Sequence, residues 1–163
     1  MLLLTMLPVY GKGGVEKDMG AYLFTFFNDP THSLFMAVSY DGYTFTAVNE
    51  GQPVISGDSI AAQRGIRDPH IYRAPNGMFY IAMTDLHVFG KQRGLRDTQW
   101  ERGDKYGWGN NRGLVLMKSK DLIHWTHTEV FVNETFPENF GELGCAWAPQ
   151  TIWDPAVEKL RVY

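Results

Sequence analysis

Two aspartates bracket one short stretch of this 163-residue chain. The stretch, residues 65–85, reads G-I-R-D-P-H-I-Y-R-A-P-N-G-M-F-Y-I-A-M-T-D, with Asp68 near its start and Asp85 at its end. Carboxylates are among the side chains that accept and release protons in acid–base catalysis. These two residues are therefore candidates for chemistry, and the elements that position them decide whether they can act together.

The sequence between the two aspartates is typical of a β-hairpin. A short apolar run at 70–73 is followed by the turn signal A-P-N-G and by a second run, at 78–84, that is rich in aromatic and β-branched residues. Because hairpin strands are antiparallel, the start of the first strand and the end of the second lie at the same end of the sheet. We therefore expect Asp68 and Asp85 to emerge on one face.

Composition and charge exclude several classes of protein. The chain is 44% hydrophobic, 14% aromatic and 20% charged, which indicates an aromatic-rich globular protein. The net charge is -3 and no run of Lys or Arg stands out, so we expect no nucleic-acid partner. Cys145 is the single cysteine, so no internal disulfide can form.

Residues 1–20 are interpreted as an N-terminal tail, ahead of a domain at 21–163. The apolar run at 1–10 is too short to cross a bilayer, which takes about 20 residues. It is either the end of an export signal or a plain strand or tail, since it has no basic segment before it and no clear cleavage site after it. We expect a secreted or periplasmic protein.

From residue 21 onward, strand-like runs alternate with turn signals, and no segment has a convincing helical period. This pattern predicts an all-β fold. The runs are residues 21–27, 33–39, 43–48, 70–73, 78–84, 113–119 and 125–132.

An internal repeat with an offset of 80 residues organises these strands. Residues 39–45 and 119–125 both read S-x-D-x-x-x-aromatic, and the aspartate of each copy is interpreted as a turn residue. The same offset carries R-D-P-H-I at 67–71 onto W-A-P-Q-T at 147–151. Repeated units of about four strands are typical of the blades of a β-propeller.

The strand runs divide into blades of four-stranded antiparallel sheet. Residues 70–132 supply one complete blade, and residues 21–48 supply a blade that lacks its first strand. The opening hairpin of a further blade lies in residues 147–163. We therefore expect about the first two blades of a propeller, and we interpret the chain as a fragment of a longer protein.

Blade geometry places Asp68, an insertion at 86–112 and the connection at 133–147 at one end of the sheets. The insertion is too long for a simple turn, and long loops inside compact domains are functional or disordered more often than structural. It is either a loop beside the site or a solvated excursion. Its aromatic, charged and polar members are His87, Arg93, Arg96, Trp100, Arg102, Tyr106, Trp108 and Asn110.

Three motifs in this order resemble glycoside hydrolase family 43. They are G-I-R-D-P-H-I-Y at 65–72, S-K-D-L-I-H-W at 119–125 and C-A-W-A-P-Q-T-I-W-D-P at 145–155, and the resemblance covers roughly residues 21–163. It implies a five-bladed β-propeller that hydrolyses arabinose- or xylose-containing plant glycans with inversion. The implied activities are α-L-arabinofuranosidase and β-xylosidase, and the implied partner is an oligosaccharide or polysaccharide.

The resemblance also implies a role for Asp68. The family's general base is an aspartate in a D-P dipeptide at the start of an inner strand, and Asp68 matches it. The general acid, a glutamate, and the aspartate that tunes the acid's pKa come from blades after the W-A-P motif, beyond Tyr163. Inverting hydrolysis needs both a base and an acid. We therefore expect the chain to be inactive by itself.

Four further residues are candidate substrate contacts. Trp147 is interpreted as a sugar-stacking ring or as a core residue, and Asp85 and His87 lie at the expected mouth of the site. Gln150 lies in the next inner strand and is either a ligand or a residue that pairs with its neighbours. No cofactor or metal-ligand set is visible, although some members of the family hold calcium on the propeller axis.

Two other functions stay open. One is a β-propeller that binds glycans without catalysis, and the other is an unrelated propeller scaffold. A glutamate on an inner strand of a later blade would favour the enzyme over both. The sequence does not specify the sugar, the linkage, the exo or endo mode or the oligomeric state.

Overall fold

A computed structural model describes residues 20–96 and 110–163 of the chain. In these residues antiparallel β-sheet dominates, and the helices are short. The elements are β1 (Tyr22–Phe26), β2 (Phe35–Ser39), β3 (Thr46–Ala47), β4 (Ile66–Arg73), β5 (Phe79–Asp85), β6 (Gly113–Ser119), β7 (Trp125–Phe131), α1 (Val132–Thr135), α2 (Pro137–Phe140), β8 (Thr151–Asp154) and β9 (Lys159–Val162). The predicted all-β class is confirmed, while the predicted tail lies outside the described residues apart from Gly20.

The strands group as the repeat predicts. β1, β2 and β3 form a three-stranded sheet, β4 to β7 form a four-stranded sheet, and β8 pairs with β9. Every pair is antiparallel, and within each sheet the strands that follow one another in the chain are neighbours. Within the described residues the sheets do not close into a ring, so the propeller stays a prediction.

The two copies of S-x-D form the same turn. Asp41 Oδ1 accepts the backbone N–H groups two and three positions later, both at 2.8 Å, and Asp121 Oδ1 does the same at 2.9 and 2.8 Å. The hydroxyl of Ser39 donates to Asp41 at 2.8 Å, and that of Ser119 donates to Asp121 at 3.1 Å. These bonds hold the pKa of both aspartates well below the usual range, with the His124 side chain the largest cause at Asp121. The interpretation of both as turn residues is confirmed.

The hydrophobic core lies between the first and second sheets. The side chains that fill it are apolar and almost completely buried, and they come from alternate positions of the strands and from the segment that connects the two sheets. Fully burying one such side chain contributes about 1.5–3 kcal/mol. The members are Leu34, Met36, Ile60, Ala61, Ile66, Ile81, Met83, Val115 and Met117.

Three local predictions are wrong. β4 begins at Ile66 and not at residue 70, because a bulge lets the chain pair with β5 ahead of the proline. The strand predicted at 43–48 is only Thr46–Ala47, since the turn before it extends further. The connection at 133–147 contains α1 and α2, which are single turns and too short to produce a readable helical period.

No helix in the part of the chain that the structure describes is long and apolar enough to span a membrane.

Candidate active site

Asp68 lies on a β-bulge at the start of β4. Arg67 pairs with Thr84 and His70 with Ala82, so Asp68 and Pro69 together face a single residue of β5. The φ angle of Asp68 is 52°, in the left-handed region that few residues other than glycine adopt. Such a conformation costs on the order of 1–3 kcal/mol and re-aims the side chain relative to the pleat.

The carboxylate of Asp68 is bound by a threonine of the next strand. Thr84 Oγ1 donates to Asp68 Oδ2 at 3.0 Å, and the backbone N–H of Ala148 donates to Thr84 Oγ1 at 2.8 Å. Within the described residues no hydrogen bond reaches Asp68 Oδ1. The R-D-P and W-A-P motifs, 80 residues apart in the repeat, thus meet on the two sides of one hydroxyl.

Trp147 flanks this contact. Its side chain is 38% exposed, so part of the indole faces solvent. The segment that carries it is fixed from both sides, because the N–H of Ala146 donates to the carbonyl of Asn111 at 3.1 Å and that of Ala148 to Thr84. The predicted stacking residue therefore lies beside the predicted base on a restrained backbone.

The strands β4 and β8 touch through His70. The N–H of Thr151 donates to His70 Nδ1 at 3.3 Å, and Thr151 Oγ1 lies 3.0 Å from the same nitrogen. Because a backbone amide can only donate, Nδ1 is the acceptor and the neutral ring carries its proton on Nε2. Gln150 is exposed, and its Oε1 accepts the hydroxyl of Tyr163 at 3.2 Å.

Asp85 lies at the same end of the sheet as Asp68, because it pairs with Ile66, but the two aspartates do not emerge on one face as predicted. Its carboxylate leaves on the opposite face, since Thr84 and Asp85 are successive strand residues. There it is 1% exposed and accepts the N–H of Gln63 at 2.8 Å. Burial raises the pKa of Asp85 to about 7. A side chain at Gly113 would lie 2.9 Å from Asp85 Oδ2, so glycine is needed for this approach.

The imidazole of His87 is buried against that of His32. The rings stack at 4.0 Å between centroids with a 15° interplanar angle, and both residues are at most 2% exposed. Arg67 Nη1 approaches His32 Nε2 at 3.1 Å and forms an ion pair with Asp29 at 2.9 Å. His87, predicted at the mouth of the site, is therefore buried against His32, and Arg67 contacts that stack through His32.

Burial and nearby cations keep both rings neutral. Burial, followed by the neighbouring His87 ring, lowers the pKa of His32 to about 4. Burial is also the main cause that lowers the pKa of His87, ahead of Arg93 and Arg96. His32 Nδ1 is buried with no hydrogen-bond partner. A proton added to this stack would be poorly solvated, so the pair serves as a neutral packing element.

The sequence model of a family described as "Probable glycosyl hydrolase domain" matches residues 17–163. The chain belongs to this family of glycosyl hydrolase domains. The resemblance to glycoside hydrolase family 43 is thereby confirmed at the level of the family.

One curated relative supports this assignment of the glycosyl hydrolase domain. An α-L-arabinofuranosidase of Bifidobacterium longum subsp. longum is 30% identical to it over an alignment of 129 residues, and the match covers 76% of this chain. The match covers 10% of the relative, so the chain spans about a tenth of that protein's length. No solved structure matches the chain.

The sequence did not point to three residues of the hydrolase domain's site. The sequence pattern places Thr84 at the end of a strand run and His32 between two runs, in no predicted element. Arg67 was noted within R-D-P without a partner. One signal for Thr84 was available. It is a polar residue that pairs across the hairpin with Arg67, the residue before Asp68. His32 gave no signal, since its contacts are all distant in sequence.

The insertion after β5 is described in part. Arg93 Nη1 donates to the carbonyl of Pro30, and Arg96 Nη2 donates to that of His87 at 3.1 Å, so the first part of the insertion packs against the end of the sheets. Four of its predicted members, Trp100, Arg102, Tyr106 and Trp108, lie outside the described residues. Within residues 20–96 and 110–163, no three His, Cys, Asp or Glu side chains are grouped so as to hold a metal.

Proposed function

We propose that the protein carrying this domain is an inverting glycoside hydrolase that releases arabinose or xylose from plant glycans. The family and the arabinofuranosidase relative support hydrolysis of a glycoside. The observation that carries the proposal is the presentation of Asp68 on a bulge, with one carboxylate oxygen bound by Thr84 and the other open. α-L-Arabinofuranosidase and β-xylosidase are the two activities proposed.

Asp68 is proposed to act as the general base. Its Oδ2 is held by the hydroxyl of Thr84, and its Oδ1 takes a proton from the water that attacks the anomeric carbon. In an inverting reaction this carboxylate lies on the opposite side of the sugar from a protonated carboxylic acid, about 6.5–9.5 Å away. Held in place, such a base contributes about 10² to 10⁴ in rate.

Asp85 has the raised pKa expected of a general acid but the wrong position for one. It is almost completely buried, and its carboxylate leaves the sheet on the face opposite to Thr84. A general acid must reach the oxygen of the leaving group. The acid is therefore proposed to come from another blade of a five-bladed propeller, and this chain alone is expected to give only the background rate.

The substrate is proposed to lie against Trp147. The partly exposed indole precedes Ala148, whose N–H is joined to the proposed base through Thr84, and it offers an apolar face to a sugar ring. Gln150, directly ahead of β8, and the Nε2–H of His70, in β4, are proposed as polar contacts. Calcium binding on the propeller axis and export of the protein are also proposed.

The test uses the protein encoded by the complete gene and an aryl α-L-arabinofuranoside or β-D-xyloside as substrate. Asp68→Asn is nearly isosteric and is expected to lower kcat about 10² to 10⁴-fold with an unchanged circular dichroism spectrum. The matched control is Asp154→Asn, because Asp154 also precedes a proline but lies in the β8–β9 hairpin, bonded to Arg161 at 2.5 Å. This control is expected to retain activity.

Nuclear magnetic resonance of the first product anomer checks inversion. Unchanged kcat in Asp68→Asn would show that the base is elsewhere. Binding of arabinoxylan without turnover by the wild-type protein would favour the non-catalytic glycan-binding propeller instead.

A further inference from the structure

Thr84 is completely buried and joins two motifs that lie far apart in the sequence. It accepts the N–H of Ala148 at 2.8 Å and donates to Asp68 Oδ2 at 3.0 Å. It lies in β5, where it pairs with Arg67 on one side and Leu114 on the other. The backbone that presents this hydroxyl is therefore held by a strand on each side.

Chemistry fixes the direction of both hydrogen bonds. A backbone amide can only donate, so the Thr84 oxygen must accept from Ala148. An ionised carboxylate can only accept, so the single hydroxyl proton of Thr84 points to Asp68. The hydroxyl has no alternative arrangement that satisfies both neighbours. It is thus a fixed donor to one oxygen of the carboxylate.

We propose that Thr84 is a positioning residue for Asp68, which it orients so that Oδ1 faces the attacking water. This inference rests on the proposed function of Asp68 as general base. On the bulge, the side chain of Asp68 can point in directions that a regular ladder would not allow. The hydrogen bond from Thr84 selects one rotamer. The same hydroxyl ties the segment of Trp147 to the base, so the proposed sugar-stacking ring and the proposed base share one anchor.

The residue type suits this role. Threonine is β-branched and stiff at χ1. When it is buried between two strands, its hydroxyl oxygen can therefore point in only one direction. Valine has nearly the same shape without the hydroxyl. Serine keeps the hydroxyl but lacks the methyl group. The two substitutions therefore separate the hydrogen bond from the packing.

The experiment compares Thr84→Val and Thr84→Ser in the protein encoded by the complete gene, with an aryl glycoside as substrate. Thr84→Val is expected to lower kcat about 10- to 100-fold, the range for losing a hydrogen bond to a charged group. KM is expected to stay within about twofold, because the bond orients the base and does not touch the sugar. Thr84→Ser is expected to retain most of kcat. An equal loss in both variants would overturn the inference, since packing would then explain it.

A double-mutant cycle separates this inference from the proposed function. In the Asp68→Asn background, Thr84→Val is expected to cause little further loss of kcat, because the residue acts through Asp68. If Asp68→Asn alone keeps its activity, the proposed function fails. If Asp68→Asn is inactive and Thr84→Val matches wild type, the general base stands and the positioning role is overturned.

Hydrogen exchange gives a readout that does not need turnover. Its measurement on the wild-type protein tests the inference even if Thr84→Val folds poorly. The Ala148 amide of the wild-type protein is expected to be protected, to stay protected in Thr84→Ser and to exchange at least about tenfold faster in Thr84→Val, which lacks its acceptor. An unprotected Ala148 amide in wild type would show that the link does not persist in solution and would overturn the inference.

Discussion

Asp68 and Ala148 occupy the same position of the internal repeat, each directly ahead of a proline. Both adopt the left-handed region, with φ angles of 52° and 48°. One carries a carboxylate and the other a methyl group. Because an alanine has nothing to contribute to acid–base chemistry, the strained backbone at this position belongs to the repeated architecture and not to the reaction.

The comparison shows what identifies a site in a repeat fold. A strained residue is often taken to mark function, and Asp68 considered alone would fit that rule. Its repeat partner supplies a structural origin for the strain, since both residues directly precede a proline. The features specific to Asp68 are its carboxylate and the donor from Thr84. The function proposed for this site therefore depends on side chains placed on a recurring backbone.

Changes to the side chains of Asp68 and Ala148 should have the largest effect on kcat. Asp68→Ala is expected to keep the fold, because Ala148 already adopts the same backbone, and to lower kcat about 10² to 10⁴-fold. Adding Ala148→Asp should not restore activity, since the new carboxylate would leave the backbone on the other side of the Thr84 hydroxyl and would not be oriented by it. Kinetics on an aryl glycoside measure both variants, and recovery in the double variant would show that the two positions are equivalent.

A β-branched side chain should test the strain that the two positions share. Ala148→Val is expected to destabilise the protein by about 1–3 kcal/mol, because branched residues are strongly disfavoured at positive φ. The matched control is Ala156→Val, at an exposed residue of the β8–β9 turn that is not at positive φ. Urea unfolding gives both free energies. Equal values would mean that the backbone at Ala148 is relaxed in solution.

The S-x-D turns allow the same test with a smaller effect. Gly42 and Leu122 are equivalent, with φ angles of 77° and 65°. Gly42→Leu is expected to cost about 1–2 kcal/mol, the usual penalty for a side chain in the left-handed region. Leu122→Gly is expected to be neutral or to stabilise by up to about 1 kcal/mol, because the relieved strain exceeds the entropy that glycine adds to the unfolded chain. Denaturation midpoints that moved the other way would contradict the equivalence.

A different kind of effect, a change in the pH dependence of stability, is expected at the second aspartate of the hairpin. Burial raises the pKa of Asp85 from 3.8 to about 7, so between these values the folded protein keeps a proton that the unfolded chain releases. Stability from this group is greatest below pH 3.8 and declines as pH rises to about 7. Asp85→Asn should remove this decline, so its stability relative to wild type should increase over that interval.

Thermal unfolding at several pH values measures this difference. A gap between variant and wild type that stays constant with pH would show that Asp85 does not titrate there. A raised KM in Asp85→Asn would instead support the substrate contact predicted from the sequence.

Local patterns account for what the sequence determined. The S-x-D turns could be predicted because their hydrogen bonds join residues two or three positions apart. The hairpins could be predicted because turn residues and strand runs lie next to one another. The family and the place of Asp68 followed from ordered motifs. Strand ends were less exact, since a bulge such as that at Asp68 depends on pairing with another strand.

Contacts between distant residues decided the rest. Thr84 meets Ala148 across 64 positions, and the sequence carries no period or motif that links them. The stack of His32 on His87 and the burial of Asp85 on the face opposite to Thr84 depend on how the sheets pack. The sequence by itself determined the repeated strands and the place of one aspartate, Asp68, near the start of one of them. Only the tertiary structure decided which hydroxyl holds that aspartate, because the partner comes from a strand and a motif that packing alone brings together.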